Sequence, residues 1–396
     1  MKFVVEALGL VSGGGRTGLP YLLKALAKHG RHEYVALLTD LPECAALKLP
    51  NLRVVLRPKC RNLVLREWRL NVSLPKLCRE ERADALLCLG SFVPHYPPVP
   101  TAVFLHNPYC VYRDAFAYRG FTLRDWLILK YGWHQFRHLD GNVSVVVQSE
   151  VMKARLISRF PIPSSRVFVI PDRGASPGGL AGSCPNSRVD EGGPFTFLCV
   201  AVYSPNKNLE VLVEAVKRLR SLARRPFQCL LTINPDQHPA ARKLLSKIEN
   251  EKAGDILVNI GFQPPDRLVA FYKSAGAFIS PTLLESFGRP YVEAMQFGLP
   301  ILTSDRDFAH ERCRNAAVYF DPLDAASVAR AMATVMEDFA LRQMLTENGR
   351  RILAQAPTWD EIAARFVEVL ERTAQGELAK HSEPESQLKN NYALVP

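Results

Sequence analysis

Two glutamates and a lysine carry the chemistry this sequence displays most openly. In PTLLESFGRPYVEAMQFGLPILTSD, residues 281–305, Glu285 and Glu293 stand eight positions apart. The strand-like AFIS precedes Glu285, Pro290 stands near the start of a helix, and Gly298 and Pro300 end that helix. One carboxylate therefore lies in a loop before the helix and the other within its early turns. Carboxylates accept paired hydrogen bonds from neighbouring hydroxyls, and the N–H groups near Phe287 and Gly288 suit a phosphate. The spacing fits an extended ligand with hydroxyls at both ends and phosphates between them. Ordinary capping and surface carboxylates account for the same two residues equally well. Lys207, in the PNKN turn at the start of another helix, sits where a helix dipole disfavours an isolated cation and an anion would favour it.

Other candidates are weaker. GGGRTG at 13–18 matches G-x-G-x-x-G, and Asp40 ends the second strand 22 residues later, which is the dinucleotide pattern on paper. The gap from Leu8 to Gly13 is longer than the direct strand-to-glycine turn of such folds. Leu19 and Pro20 stand where a phosphate-binding P-loop needs Lys and Ser or Thr. Gly13, Gly14 and Gly15 are instead read as a flexible loop that closes over phosphates or an acceptor, with a helix beginning near Gly18. His106 ends the strand TAVFLH and faces a cleft or serves as a satisfied core histidine. His134 and His138 are spaced as in H-E-x-x-H, but Gln135 replaces the Glu, so they read as helix-surface residues. No Asp-x-Asp stands at a plausible metal position.

Positioning these residues requires regular elements. KFVVEAL, EYVALLT, LRVVL, DALLCLG, TAVFLH, VSVVVQS and RVFVIP alternate with helical stretches, the last of them EVMKARLISRF. FTFLCVAV, FQCLLTI, DILVNI, AFIS, ILTS and AVYF repeat the pattern in the second half. Strand and helix in turn predict an α/β fold with parallel sheets. Residues 173–194, rich in Gly, Pro and Ser, read as a linker between domains 1–172 and 195–354. Residues 355–374 form a further helix, with Ile362, Phe366, Val369 and Leu370 on one face, free to cross back to the first domain. Residues 375–396 are a polar tail. Two such domains leave a cleft between the carboxyl ends of their strands, where ligands bind in open parallel sheets.

Composition bounds the class. With 396 residues, 47% hydrophobic and 22% charged, the chain is neither disordered nor a small disulfide scaffold. Nine cysteines, without a C-x-x-C pair, read as reduced core thiols. No apolar run approaches the roughly 18 to 20 residues of a membrane helix, and a cytoplasmic protein is expected. Net charge is +11, and residues 1–172, with 24 Lys and Arg against 13 Asp and Glu, carry all of it. Arg53, Arg57, Lys59, Arg61, Arg66 and Arg69 form a basic run suited to peripheral docking on an anionic membrane, or else a solvated face. Nine aromatic residues between Tyr109 and Phe136 suit helix packing, sugar stacking or a lipid interface.

At this point E-S-F-G-x-x-x-x-E-A-M-x-x-G-x-P resembles the E-x7-E signature of family four retaining glycosyltransferases. SPNKNLEVLVEAV (204–216), NIGFQPPDRLVAFYKSA (259–275), FLHNP (104–108) and VVVQSEVMKARL (145–156) resemble segments of that family in the same order. The resemblance implies a GT-B fold of two facing Rossmann-like domains with an inter-domain cleft. It implies that Glu285 bonds hydroxyls of the transferred sugar, Glu293 bonds the nucleotide ribose, and Lys207 neutralises the departing diphosphate. Phe287, Gly288, Arg289, Gly261 and Phe262 would complete the donor site, with His106 near the reacting carbon and no metal or other cofactor needed. The family places an Arg five or six positions before this Lys, where Ala201 and Val202 stand here. Arg289 and Arg173 are positional substitutes, and the departure leaves full activity in question.

The expectation is a retaining glycosyltransferase of hexosyl type, moving a sugar from a nucleoside-diphosphate sugar to a hydroxyl of a glycan, glycolipid or small molecule. Two alternatives stand beside it: an NAD-dependent oxidoreductase using the 13–18 glycines, and a catalytically weak nucleotide-sugar-binding protein. No nucleic-acid-binding motif is recognisable.

Overall fold

The structure, a computed structural model, describes residues 1–10, 13–59, 62–114, 118, 120–174 and 193–376. Seven strands make a first sheet: β1 Lys2–Ala7, β2 Glu33–Thr39, β3 Leu52–Arg57, β4 Ala85–Cys88, β5 Thr101–Phe104, β6 Val143–Val147 and β7 Val167–Val169. Six make a second: β8 Phe195–Cys199, β9 Phe227–Leu231, β10 Leu257–Asn259, β11 Ala277–Ser280, β12 Ile301–Ser304 and β13 Ala317–Phe320. Every pairing between these strands is parallel. The central strands are nearly continuous apolar runs because helices cover both faces, leaving no solvated side to alternate toward. The α/β class with two parallel sheets, predicted from alternation, is the observed architecture.

The strand orders β3-β2-β1-β4-β5-β6-β7 and β10-β9-β8-β11-β12-β13 both reverse direction at one place. In the first sheet it lies between β1 and β4, and in the second between β8 and β11. Crossover connections leave in opposite directions there, so the loops after those strands part and open a crevice at the carboxyl edge. This topology positions the candidate site.

The helix Trp359–Ala374 leaves the second unit and packs on the first. Ile362, Phe366 and Leu370 join Phe3, Leu23 and Leu26 in one buried cluster, and Phe366 meets Phe104 edge-on at 5.6 Å. Thr358 and Glu361 form a reciprocal capping box at its start. Another apolar cluster runs from Val103 and Val145 in the first unit to Tyr291 and Phe308 in the second. The aromatic residues Tyr109, Tyr118, Phe121, Trp126, Tyr131 and Trp133 pack against it, which resolves the 109–136 stretch toward helix packing. Phe116 falls outside the described residues.

One expectation is corrected. Gly13, Gly14 and Gly15 form no loop; they are the first residues of the helix Gly13–Lys28. Burial of Leu19, Leu22, Leu23 and Leu26 offsets the entropic cost of glycine at the helix start. The glycines provide close approach: a Cβ on Gly15 would lie 2.8 Å from Leu10, and one on Gly18 would lie 2.4 Å from Arg289 and 3.1 Å from Trp359.

Candidate functional site

The two loops that leave β8 and β11 are stitched together. After β8, Pro205–Lys207 form one 3₁₀ turn, closed by Asn208 at φ +52°. Asn206 donates to the Leu284 carbonyl at 3.0 Å, and its own carbonyl accepts from the Leu283 N–H at 2.7 Å and from the Thr282 hydroxyl at 3.1 Å. Asn208 donates to the carbonyls of Pro281 and Pro322 at 3.2 and 2.7 Å. An Asn side chain tolerates the left-handed conformation, so PNKN is a turn built to be clamped. The clamp delivers Lys207 to Glu285, and the ammonium and carboxylate form an ion pair with both side chains largely shielded.

Glu285 leads through Phe287 to Gly288, which has φ +75° and caps the helix Arg289–Gln296. Any Cβ at Gly288 would lie 2.4 Å from the Tyr291 ring, so both backbone and packing demand glycine. The first N–H groups of that helix lack intrahelical acceptors. One turn in, Glu293 accepts the Tyr272 hydroxyl at 2.8 Å. Burial raises the Glu293 carboxyl above the usual carboxylate range, and the Tyr272 bond opposes that rise. Arg312 lies over the Phe287 ring at 3.7 Å and donates from Nε to the Phe287 carbonyl at 3.2 Å. Burial weakens the affinity of this guanidinium for its proton.

Arg289 points toward the first unit. Its Nε and Nη2 donate to the two Asp172 oxygens at 2.8 and 2.9 Å, and Nη1 donates to the Thr17 hydroxyl at 2.6 Å. Arg173 donates to the Pro357 carbonyl at 3.0 Å. The two cations considered as substitutes for the absent Arg are therefore both engaged at the domain junction.

Across the crevice, His106 follows β5. The Ser91 hydroxyl lies 3.1 Å from its Nδ1 and accepts its main-chain N–H at 3.2 Å. Ser91 has φ +66°, a left-handed conformation that costs a serine energy and aims its hydroxyl at the ring. Burial lowers the affinity of His106 for a proton, so it is neutral near pH 7; the Asp172 charge opposes that shift. Where the first sheet switches direction, Glu6 is buried at the end of β1 and accepts the Leu8 N–H at 2.7 Å. Burial pushes its carboxyl up to about 7, and the Arg66 charge partly offsets this. Gly9 and Gly90 let the two loops meet there: a Cβ on Gly9 would be 3.2 Å from the Gly90 Cα.

The units grip one another around this site. The Tyr109 hydroxyl donates to Asn206 at 2.7 Å, and Arg155 donates to Asp307 from Nε at 2.8 Å. Glu311 accepts the N–H groups of Glu150 and Val151 at 2.8 and 2.9 Å, a carboxylate seated on the N-terminus of the helix Glu150–Arg159. Gly261, at φ +72°, and the exposed Phe262 lie in the loop after β10, at the same carboxyl edge of the second sheet but three strands from β11. His134 and His138 are exposed, their rings tilted against each other with centroids 4.7 Å apart. Among the described residues no group of three or more His, Cys, Asp or Glu is arranged to hold a metal ion.

Reading the residues in order missed Asp172, Ser91, Tyr272, Glu6 and Arg312. Asp172 gave a signal, being the last charged residue before the Gly- and Ser-rich stretch. The others gave none, because their roles depend on partners distant in the chain.

Comparison with known proteins adds family context. Residues 12–172 match the family described as Glycosyltransferase Family 4, and residues 185–352 match Glycosyl transferases group 1. The serotype-specific mannosyltransferase WbdA of Escherichia coli is 28% identical over 183 residues, which are 45% of this chain and 22% of that protein. The MMP alpha-(1->4)-mannosyltransferase of Mycolicibacterium hassiacum is 27% identical over 171 residues, 42% of this chain and 40% of that protein. The matched region thus spans well under half the length of these relatives. Among solved structures, the sucrose-phosphate synthase of Thermosynechococcus elongatus superposes with TM-score 0.72 at 16% identity, covering 94% of this chain and 98% of that one. HepE of Anabaena, solved with UDP-glucose, superposes with TM-score 0.66 at 16% identity, covering 94% and 99%. At such identities the superpositions speak to the fold.

Proposed function

This chain belongs to the GT4-type glycosyltransferases, which share the GT-B fold, and on that premise we propose that it moves a sugar from a nucleoside-diphosphate sugar to an acceptor hydroxyl with retention of configuration. One observation carries the reading: the clamp between PNKN and the 281–284 loop brings Lys207 and Glu285 together at the switch point of the second sheet. In the free protein each group neutralises the other. A bound donor exchanges partners, its diphosphate taking Lys207 and a sugar hydroxyl taking Glu285. The first N–H groups of the helix Arg289–Gln296 cradle phosphate oxygens, and Glu293, held by Tyr272, accepts ribose hydroxyls.

In the transfer step the bond from the anomeric carbon to the phosphate oxygen breaks, and the bond to the acceptor oxygen forms. The acceptor proton leaves with the diphosphate. Negative charge grows on the leaving group, and Lys207 with the main-chain N–H groups stabilises it without requiring a metal. Neutral His106, oriented by Ser91, contacts the sugar from the first unit. Closure of the two units excludes the water that would otherwise hydrolyse the donor. The HepE complex with UDP-glucose and the mannosyltransferase relatives support a nucleotide-sugar donor and a glycan-type acceptor.

Thermal-shift measurement against UDP, GDP, ADP and their sugars tests the reading, since a ligand bound by the folded state alone raises its melting temperature. A rise with one nucleotide family, together with slow release of free sugar from that donor, is expected. A rise without sugar release or transfer would support the weak-binder alternative; no rise with any nucleotide would overturn the proposal.

A further inference from the structure

The helical stretch after β3 carries an apolar stripe that the fold leaves uncovered. It begins with the helix Leu63–Trp68, capped by the Asn62 side chain, and continues through Arg69–Ser73 and Leu74–Glu80. Leu70, Leu74 and Cys78 face inward and are buried. Val64, Leu65, Trp68 and Val72 face outward, with Val64 78% and Trp68 52% exposed. Their spacings of one, four and eight from Val64 place them on one side of the helix. The neighbouring helix Leu123–Arg137 extends the surface. Its Tyr131 hydroxyl donates to Glu67, and one and two turns earlier Leu127 and Leu123 are exposed, the latter at 77%.

Cations border the stripe. Arg57 and Lys59 are exposed at the end of edge strand β3, and Lys76 and Arg79 are exposed at its far end. The basic run itself divides: Arg53 pairs with Glu81, Arg66 lies over Phe92, Arg69 donates to the Pro58 carbonyl, and Arg61 is outside the described residues. Glu67, the acid within the stripe's first turns, is taken up by Tyr131 and Asn71 rather than facing outward.

We propose that this two-helix face docks on an anionic phospholipid bilayer, with Val64, Leu65, Trp68 and Val72 entering the interface while Arg57, Lys59 and their neighbours meet the headgroups. An exposed tryptophan amid aliphatic side chains suits the interfacial layer, and the cations add attraction that uncharged lipid lacks. A second copy of the chain is a poorer occupant, because pairing the face with itself opposes like charges on units that each carry the whole +11 excess. The placement has a consequence for the reaction. Strand β3, the outer edge strand, ends on the same carboxyl side as the crevice, and Arg66 of the docking helix lies over Phe92, in the loop that follows switch-point strand β4. A docked protein therefore holds its acceptor side close to the membrane, so the acceptor it fits is a hydroxyl carried on a lipid. Only this last step rests on the transferase reading; docking itself is measured separately.

Flotation of the full chain with phosphatidylcholine–phosphatidylglycerol vesicles, and with phosphatidylcholine alone, tests it. The protein is expected to float with the anionic vesicles, weakly with the neutral ones, and less as salt rises. Val64→Ser with Trp68→Ser, and separately Arg57→Gln with Lys59→Gln, are each expected to reduce anionic-vesicle binding about tenfold. Both pairs should keep the melting temperature and the nucleotide-induced shift, which separates this inference from the proposed activity. Failure to float with anionic vesicles would overturn it. So would flotation of both double variants equal to that of the parent protein, or sedimentation showing that the Val64 and Trp68 changes abolish a dimer instead.

Discussion

Lys207 and Glu285, 78 positions apart, form an ion pair across the seam between the loops of adjacent strands β8 and β11. Lys207 ends a single 3₁₀ turn and Glu285 lies outside any helix or strand. Each is carried by a loop whose carbonyls and amides are fastened to the other, so the pair is as rigid as the sheet beneath it.

Replacing Lys207 by Met removes the cation that meets the departing diphosphate. Turnover is expected to fall about 10²- to 10³-fold, with a smaller loss in donor binding. Steady-state kinetics on the donor identified by thermal shift checks this, and unchanged turnover would remove Lys207 from the chemistry. Glu285→Ala should reduce transfer more than affinity for the bare nucleotide, whereas Glu293→Ala should weaken the nucleotide itself.

Tyr272→Phe leaves a buried Glu293 oxygen without its donor. A stability loss of about 1 to 2 kcal/mol is expected from urea unfolding. Removing the bond also raises the Glu293 proton affinity further. Nucleotide affinity in the variant should thus begin to fall at a higher pH than in the parent as the solution is acidified.

Asp172→Asn breaks the two-oxygen grip on Arg289 and leaves a shielded guanidinium poorly paired. The expected cost is about 2 to 3 kcal/mol in thermal unfolding. Because Arg289 also reaches Thr17 in the first unit, small-angle scattering should show a larger radius of gyration. Thr17→Val, which removes the bond from Arg289, should cost less than the Asp172 change.

Glu6 gives a pH signature. Its folded proton affinity, near 7, exceeds the ordinary 4.5 because burial penalises the charged form. The protonated carboxyl is the one the fold prefers, so its contribution is fully present below the ordinary value and is lost as pH rises through 7. Glu6→Gln cannot titrate and can still accept the Leu8 N–H. Its stability relative to the parent should therefore improve between pH 5 and pH 8 by up to about 3 kcal/mol, measured by denaturant unfolding at both. A constant difference would show that Glu6 is not held neutral.

Local patterns determined much of this protein. The thirteen described strands coincide with β-rich runs visible in the chain, and central ones such as Val143–Val147 and Phe195–Cys199, covered on both faces, are the most continuously apolar. The helix Arg289–Gln296 was legible from Pro290 near its start and from Gly298 and Pro300 after its end. The 281–305 stretch marked its carboxylates because both lie within one loop-helix unit. The helix Asp307–Cys313 was missed: seven residues are too few for periodicity to register, although it carries Asp307, Glu311 and Arg312. The helix expected to begin near Gly18 was placed one turn and more too late, since glycine signals loops locally while Leu19, Leu23 and Leu26 recover the cost through tertiary burial. Only the folded arrangement decided that Lys207 meets Glu285, that Tyr272 supports Glu293, that Asp172 claims Arg289, and that Val64 and Trp68 stay uncovered. Those facts depend on which strands become neighbours, and neighbourhood is settled by packing between segments tens or hundreds of residues apart, which no local spacing encodes.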